Sequence, residues 1–174
     1  MRKPKKLTAL LLALTLLFAC AACANGNSTT DSGKTISGTL PEIIDRLYDT
    51  VDVDDEQRDF LKNSVGTVEI PKDQSAYYFG VENLDFEEAV ASEPFINAIA
   101  FSVCLMRVKD GTDIDELKAE IRRSANPAKW ICVDVNPNDV RVESVGDLVL
   151  LIMADDSEKY SEAFYACLLY TSPS

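Results

Sequence analysis

The chain is 174 residues long, with 47% hydrophobic residues, five Cys, no His and a formal charge of −12. Without histidine, His-based catalysis and His-ligated metal are excluded. Four of the 17 bases (Arg2, Lys3, Lys5, Lys6) precede an apolar run; without them 13 bases face 29 acids, and that −16 balance excludes a phosphate-neutralising nucleic-acid surface.

Residues 7–18 (LTALLLALTLLF) follow this basic start. Twelve apolar residues fall short of the roughly twenty that span a bilayer as a helix, so a signal peptide is expected over 1–19. Small residues then lead twice into cysteine, in Leu17-Phe18-Ala19-Cys20 and Cys20-Ala21-Ala22-Cys23. This resembles a bacterial lipobox, whose cysteine thiol receives diacylglycerol and becomes the new N-terminus. Cys20 has Leu at −3 and Ala at −1; Cys23 has two preceding alanines but Cys at −3. Both are lipid-attachment candidates, and Cys20 is favoured. Residues 20–39 read as anchor and tether, because 24–38 (ANGNSTTDSGKTISG) lack the bulky side chains needed to offset ordering entropy. The order implies a lipid-anchored protein on the extracytoplasmic membrane face.

A single domain is expected over 40–166. Thr39-Leu40-Pro41-Glu42 is a capping box with Pro in the first turn, and Leu40, Ile43, Ile44, Leu47, Tyr48 and Val51 recur at helical spacing. Residues 54–65 predict a second helix opening on Asp54, Asp55 and Glu56. Residues 76–81 (AYYFGV) have strand composition, and 84–91 are expected to be helical, with Pro94 beyond. The run 98–109 is apolar on both faces, which suits a central strand. Thr112, with Asp115 three residues on, is read as the cap of a helix stopped by Asn126-Pro127. Strands are expected at 130–135, 139–144 and 148–153, with turns at 136–138 and 145–147, before a last helix over 155–166. The order ααβαβαβββα favours an α+β class, with helices packed on one face of a largely antiparallel four- to five-stranded sheet.

Residues 167–174 (CLLYTSPS) resemble the translation of a transposase adapter used in sequencing libraries, so the domain is expected to end at Ala166. Within it, Ser92-Glu93-Pro94, the strand and turn from Phe101 to Gly111, Lys129-Trp130-Ile131-Cys132-Val133 and the run from Gly146 to Met153 carry a likeness. They resemble a domain-of-unknown-function lipoprotein family of Gram-positive anaerobic gut bacteria. The resemblance covers nearly all of 40–166 and implies an envelope lipoprotein with one α+β domain. It brings no catalytic residues.

The residues themselves offer little chemistry. Cys104 and Cys132 have no histidine to activate a thiolate, and are read as structural thiols rather than a disulfide. Asp52, Asp54, Asp55, Glu56 and Asp59 lack the Gly and Glu of a calcium loop, with Gln57 and Asn63 in those places, and read as helix-start capping. Glu87-Glu88 and Asp155-Asp156 are adjacent pairs without the facing geometry of a glycosidase. Lys118, Arg122, Arg123 and Lys129 are the one concentration of positive charge, and Trp130 reads as a core seal. No catalytic residue, metal ligand or cofactor is assigned. The expected partners are membrane lipid, through the acylated cysteine, and an envelope protein or small ligand. A non-enzymatic binding domain ranks first, a structural or assembly component of an envelope complex second, and a carboxylate-dependent hydrolase third.

Overall fold

The computed structural model describes residues 35–169. The first helix, α1 (Leu40–Thr50), opens on the capping box: Thr39 Oγ1 accepts from Glu42 N, and the Glu42 carboxylate accepts from Thr39 N. Its apolar stripe is buried through Leu40, Ile43, Ile44 and Leu47, each worth roughly 1.5–3 kcal/mol of transfer from water. Asp54 caps α2 (Asp55–Asn63) by accepting from Gln57 N at 2.8 Å. Arg58 of α2 reaches back to donate to Tyr48 O and Val51 O, satisfying carbonyls that the end of α1 leaves open.

Five antiparallel strands follow, β1 (Val65–Glu69), β2 (Phe86–Pro94), β3 (Ser102–Val108), β4 (Val140–Val145) and β5 (Leu148–Met153), in the spatial order β1-β2-β3-β5-β4. The hairpin joining β4 to β5 turns on Gly146-Asp147, with Gly146 at φ +57°, a conformation that favours glycine. The α+β class and the antiparallel sheet are as the sequence implies. Helical cover, however, is not confined to one face. Every residue of β5 (LVLLIM) is buried, so both faces must be sealed. On one face α1, α2 and α5 (Ser157–Leu169) pack over Val90, Val103, Leu105, Leu148, Leu150 and Ile152. On the other, α3 (Ser75–Phe79), α4 (Ile114–Ser124) and the Trp130 loop cover Ala89, Ala91, Cys104, Met106, Leu151 and Met153.

Four elements differ from expectation. Residues 76–79 fall in the short helix α3 rather than a strand, and Gly80 and Val81 lie beyond it. The helix ends at Gly80, in the left-handed region at φ +77°, where an added Cβ would sit 2.0 Å from Ser124 O of α4. Residues 84–91 belong largely to strand β2, because pairing between β1 and β3 outweighs the helical preference of Glu and Ala. Strand β1 occupies residues past Ser64, which ends α2. Residues 130–135 are loop, for reasons given below. The cap of α4 is Asp113, accepting from Glu116 N, one residue later than expected.

Both domain boundaries move outward. Ile36, expected in the tether, is 7% exposed and belongs to the core beneath α1. Arg107 donates to Ile36 O and Gly38 O and pairs with Asp147, whose other oxygen accepts from Ile36 N. This clamp fixes where the chain enters the sheet. Helix α5 runs past Ala166, with Cys167 and Leu168 buried in the same core.

Candidate functional site

Cys20 and Cys23 lie outside the described residues. The acidic candidates are dispersed among local tasks. Asp54 caps α2, Asp59 accepts from Asn63 Nδ2, Glu88 pairs with Arg107, and Asp156 pairs with Lys159. Among the described residues no group of three His, Cys, Asp or Glu is placed to hold a metal ion. Among the described residues, the Glu42 carboxyl is held below its ordinary range by the Thr39 backbone N–H, and that of Asp85 by the Lys109 ammonium. A hydrolytic general acid needs the opposite direction.

The positive group does not assemble either. Arg122 donates to Val140 O at the end of α4, while Lys129 turns inward to the sheet. The thiols are apart and free: Cys132 is exposed with φ +62°, and Cys104 is fully buried in β3. Burial pushes the Cys104 thiol up to about 11, against the opposing pull of the Lys129 ammonium. It stays protonated at neutral pH and is a poor nucleophile.

What the structure does assemble was not legible in the sequence. The Asn126 carboxamide accepts from Ala128 N, and Pro127 O accepts from Val135 N, closing a loop over 127–135 without a ladder. Inside this loop Trp130 is 7% exposed, and the Lys129 side chain only 3%. Lys129 Nζ pairs with Glu93 Oε1 at 2.5 Å and donates to Ser102 Oγ at 3.2 Å. It also lies over the rings of Tyr77, Tyr78 and Trp130, at 4.9, 5.3 and 5.3 Å. A buried ammonium demands such compensation, because desolvating an unpaired charge costs several kcal/mol.

Ser102 and Lys129 have the spacing of a nucleophile and its base, yet the hydrogen bonds oppose that chemistry. Lys129 spends protons on Glu93 and Ser102, and Ser102 Oγ donates its own proton to Glu93 at 2.7 Å. Ser102 is fully buried, so no substrate reaches it. The cluster is a bolt that joins the loop to β2 and β3.

The bolt holds an exposed apolar surface in place. Ile131, next to Lys129 and Trp130, donates its N–H to Asn97 O, bringing it against the loop between β2 and β3. Exposed there are Phe95 (73%), Ile96 (65%) and Ile131 (64%); Val68, Tyr77 and Ile99 are exposed as well. Phe95 lies across Gly66 of β1, where an added Cβ would fall 2.6 Å from its ring. Phe95, Ile96 and Ile131 give this end of the sheet exposed aromatic and aliphatic surface, the chemistry that marks interaction sites when side chains gather.

Two concavities lie on the side of the sheet that α1, α2 and α5 cover. One, of about 290 Å³, lies beside Ile99 and is lined by Asp54, Gln57, Phe101, Asp155, Asp156 and Tyr160 among others. The other, of about 670 Å³, lies between α1, α2 and the β1–β2 edge, with Asp45, Asp49, Tyr48, Lys62, Thr67 and Ser92 in its wall.

Comparison with family models, with curated proteins and with solved structures found no match. No helix among the described residues is long and apolar enough to cross a membrane.

Proposed function

We propose that this chain is a lipid-anchored extracytoplasmic protein whose domain binds an envelope protein, without chemistry of its own, through the surface of Phe95, Ile96 and Ile131. The carrying observation is that these side chains are exposed on segments tied to the sheet, Ile131 N–H donating to Asn97 O beside the buried Lys129. Exposed isoleucines on free loops cost solubility for nothing, whereas these are pinned from beneath by the Lys129–Glu93–Ser102 bolt. Aromatic and aliphatic anchors of this kind, pre-ordered before contact, are what interface hot spots require.

The place where the chain enters the domain supports the same reading. Ile36 and Gly38 are held at Arg107, toward one end of β3, and the apolar surface gathers beyond Ser102 at the other. Five residues of strand separate these points, about 17 Å. With Cys20 or Cys23 acylated, the tether would pull on the Arg107 end and leave the apolar surface facing away from the bilayer. Two or more acyl chains hold a protein at a membrane far better than one.

The test is co-purification from detergent-solubilised membranes of the source cell, using the full chain. Phe95→Asp with Ile131→Asp should lose the partner that wild type retains, while Arg123→Asp on α4 should keep it. Equal recovery with all three proteins would remove the apolar surface from the account.

A further inference from the structure

We infer that β1 accepts an extended segment of the partner as a sixth strand, and that this segment alternates basic with apolar residues. The inference rests on the partner-binding reading above and names how the partner is held.

The ladder fixes which groups of β1 are free. Ile70 N donates to Ala89 O, and Phe95 N donates to Ser64 O, so the even-numbered residues from 64 to 70 turn their backbone toward β2. By alternation Val65, Thr67 and Glu69 turn N–H and C=O to the open side. Thr67, Val68 and Glu69 are exposed. The strand (VGTVE) carries no Pro and no Lys, two residues by which edges are commonly closed to further pairing. The opposite edge differs. On β4, Val140 O is occupied by Arg122, and α5 lies alongside through Ser161 and Tyr165, which donate to Glu143.

Both faces beside β1 are open, and they differ in chemistry. On the α1 side lies the 670 Å³ groove, with Asp45 and Asp49 in its wall. Arg58, which donates to Tyr48 O and Val51 O, and Lys62 stand in the same wall and balance these two charges, so the carboxylate in excess along this face is that of Glu69, at the end of the strand. On the other face Val68 and Phe95 present apolar surface. A strand laid along β1 places successive side chains on alternate faces, so it meets carboxylates on one side and Val68 and Phe95 on the other. Pairing with a second copy is disfavoured, since each copy carries a formal charge of −12.

The probe is a labelled peptide, acetyl-Lys-Val-Lys-Val-Lys-Val-Lys-amide, added to the full chain in detergent, with a Glu-for-Lys peptide as control. Amide hydrogen exchange should slow at Thr67 and Glu69 on adding the Lys peptide, and not with the Glu peptide. Thr67→Pro removes an outward N–H and leaves the β2 ladder intact, so it should keep the fold and weaken the Lys peptide about tenfold or more. Unchanged exchange at Thr67 and Glu69 overturns the inference without reliance on any variant. Equal protection by both peptides overturns its charge assignment. Protection that appears without peptide and grows with protein concentration overturns the partner in favour of a second copy. If β1 fails these tests while Phe95→Asp with Ile131→Asp still abolishes co-purification, strand addition falls and the partner surface stands. If that pair of variants retains the partner, the reading beneath it falls too.

Discussion

Lys129→Met is the substitution that weighs most on the bolt beneath the apolar surface. It keeps the length and packing of the stem but removes the ammonium, leaving Glu93 beside Ser102 with its ionic partner gone. Breaking a fully buried pair costs about 3–5 kcal/mol. Glu93 retains 20% side-chain exposure, so water recovers part of the loss and the lower end, about 3 kcal/mol, applies. For a domain of this size that corresponds to a fall in Tm of roughly 10 °C. The assay is urea unfolding followed by Trp130 fluorescence, with the midpoint and slope fitted separately. Adding Glu93→Gln to Lys129→Met should recover at least about 1 kcal/mol, because the uncompensated carboxylate is then gone. Partner binding should weaken in Lys129→Met even under conditions where the domain is folded, since Ile131 is no longer pinned. A Lys129→Met protein within about 0.5 kcal/mol of wild type, or a double variant no better than the single one, would refute the role given to the ion pair.

Gly80→Ala should cost about 2–4 kcal/mol, because φ is +77° and the new Cβ would meet Ser124 O at 2.0 Å; chemical denaturation measures it, and a neutral result would contradict the packing of α3 on α4. Stability should depend on pH on the alkaline side. The Cys104 thiol is raised from 9.0 to about 11 by burial, so the folded form holds its proton more tightly than the unfolded one. That contribution is complete below pH 9 and is lost as pH rises through 11, about 2–3 kcal/mol in all. Half-buried Tyr48, whose hydroxyl is buried, shifts in the same direction, so Cys104→Ala should delay the onset of the fall toward pH 10 in a denaturation series; an unchanged profile would contradict the assignment. Metabolic labelling with a palmitate analogue should mark wild type and Cys23→Ser but not Cys20→Ser. Label lost only in Cys23→Ser would move the anchor to Cys23, and an unlabelled wild type released to the medium would remove the anchor.

The sequence was most readable where one side of an element decides its state. The Thr39 capping box, the stripe from Leu40 to Leu47, the two-sided apolar run at 102–108 and the Gly146 turn each carry a local signal that tertiary packing left intact. It was least readable where pairing overrides preference. Residues 86–92 hold helix-favouring Glu and Ala, but β1 and β3 lie on either side and recruit them as a strand. The aromatic run at 76–79 has strand composition, but it is wound into the short helix α3, which buries Phe79 and ends at Gly80 against α4. The bolt was hidden for a different reason. Glu93, Ser102 and Lys129 belong to three separate segments, and no spacing marks their meeting; the one trace is a lysine beside Trp130 inside an apolar stretch. Because the lysine turns inward to its partners, the chain at 129–133 is held as a loop and Ile131 is left outside.

We propose that the apolar surface at the end of the sheet far from Arg107 meets a protein partner. The most direct measurement is photo-crosslinking in intact cells, with a photoreactive side chain placed singly at positions 95, 96 and 131, and at positions 123 and 158 on other surfaces. One crosslinked species of the same mass is expected from 95, 96 and 131, and none from 123 or 158. Crosslinks of equal strength from all five positions, or none from 95, 96 and 131, would contradict it.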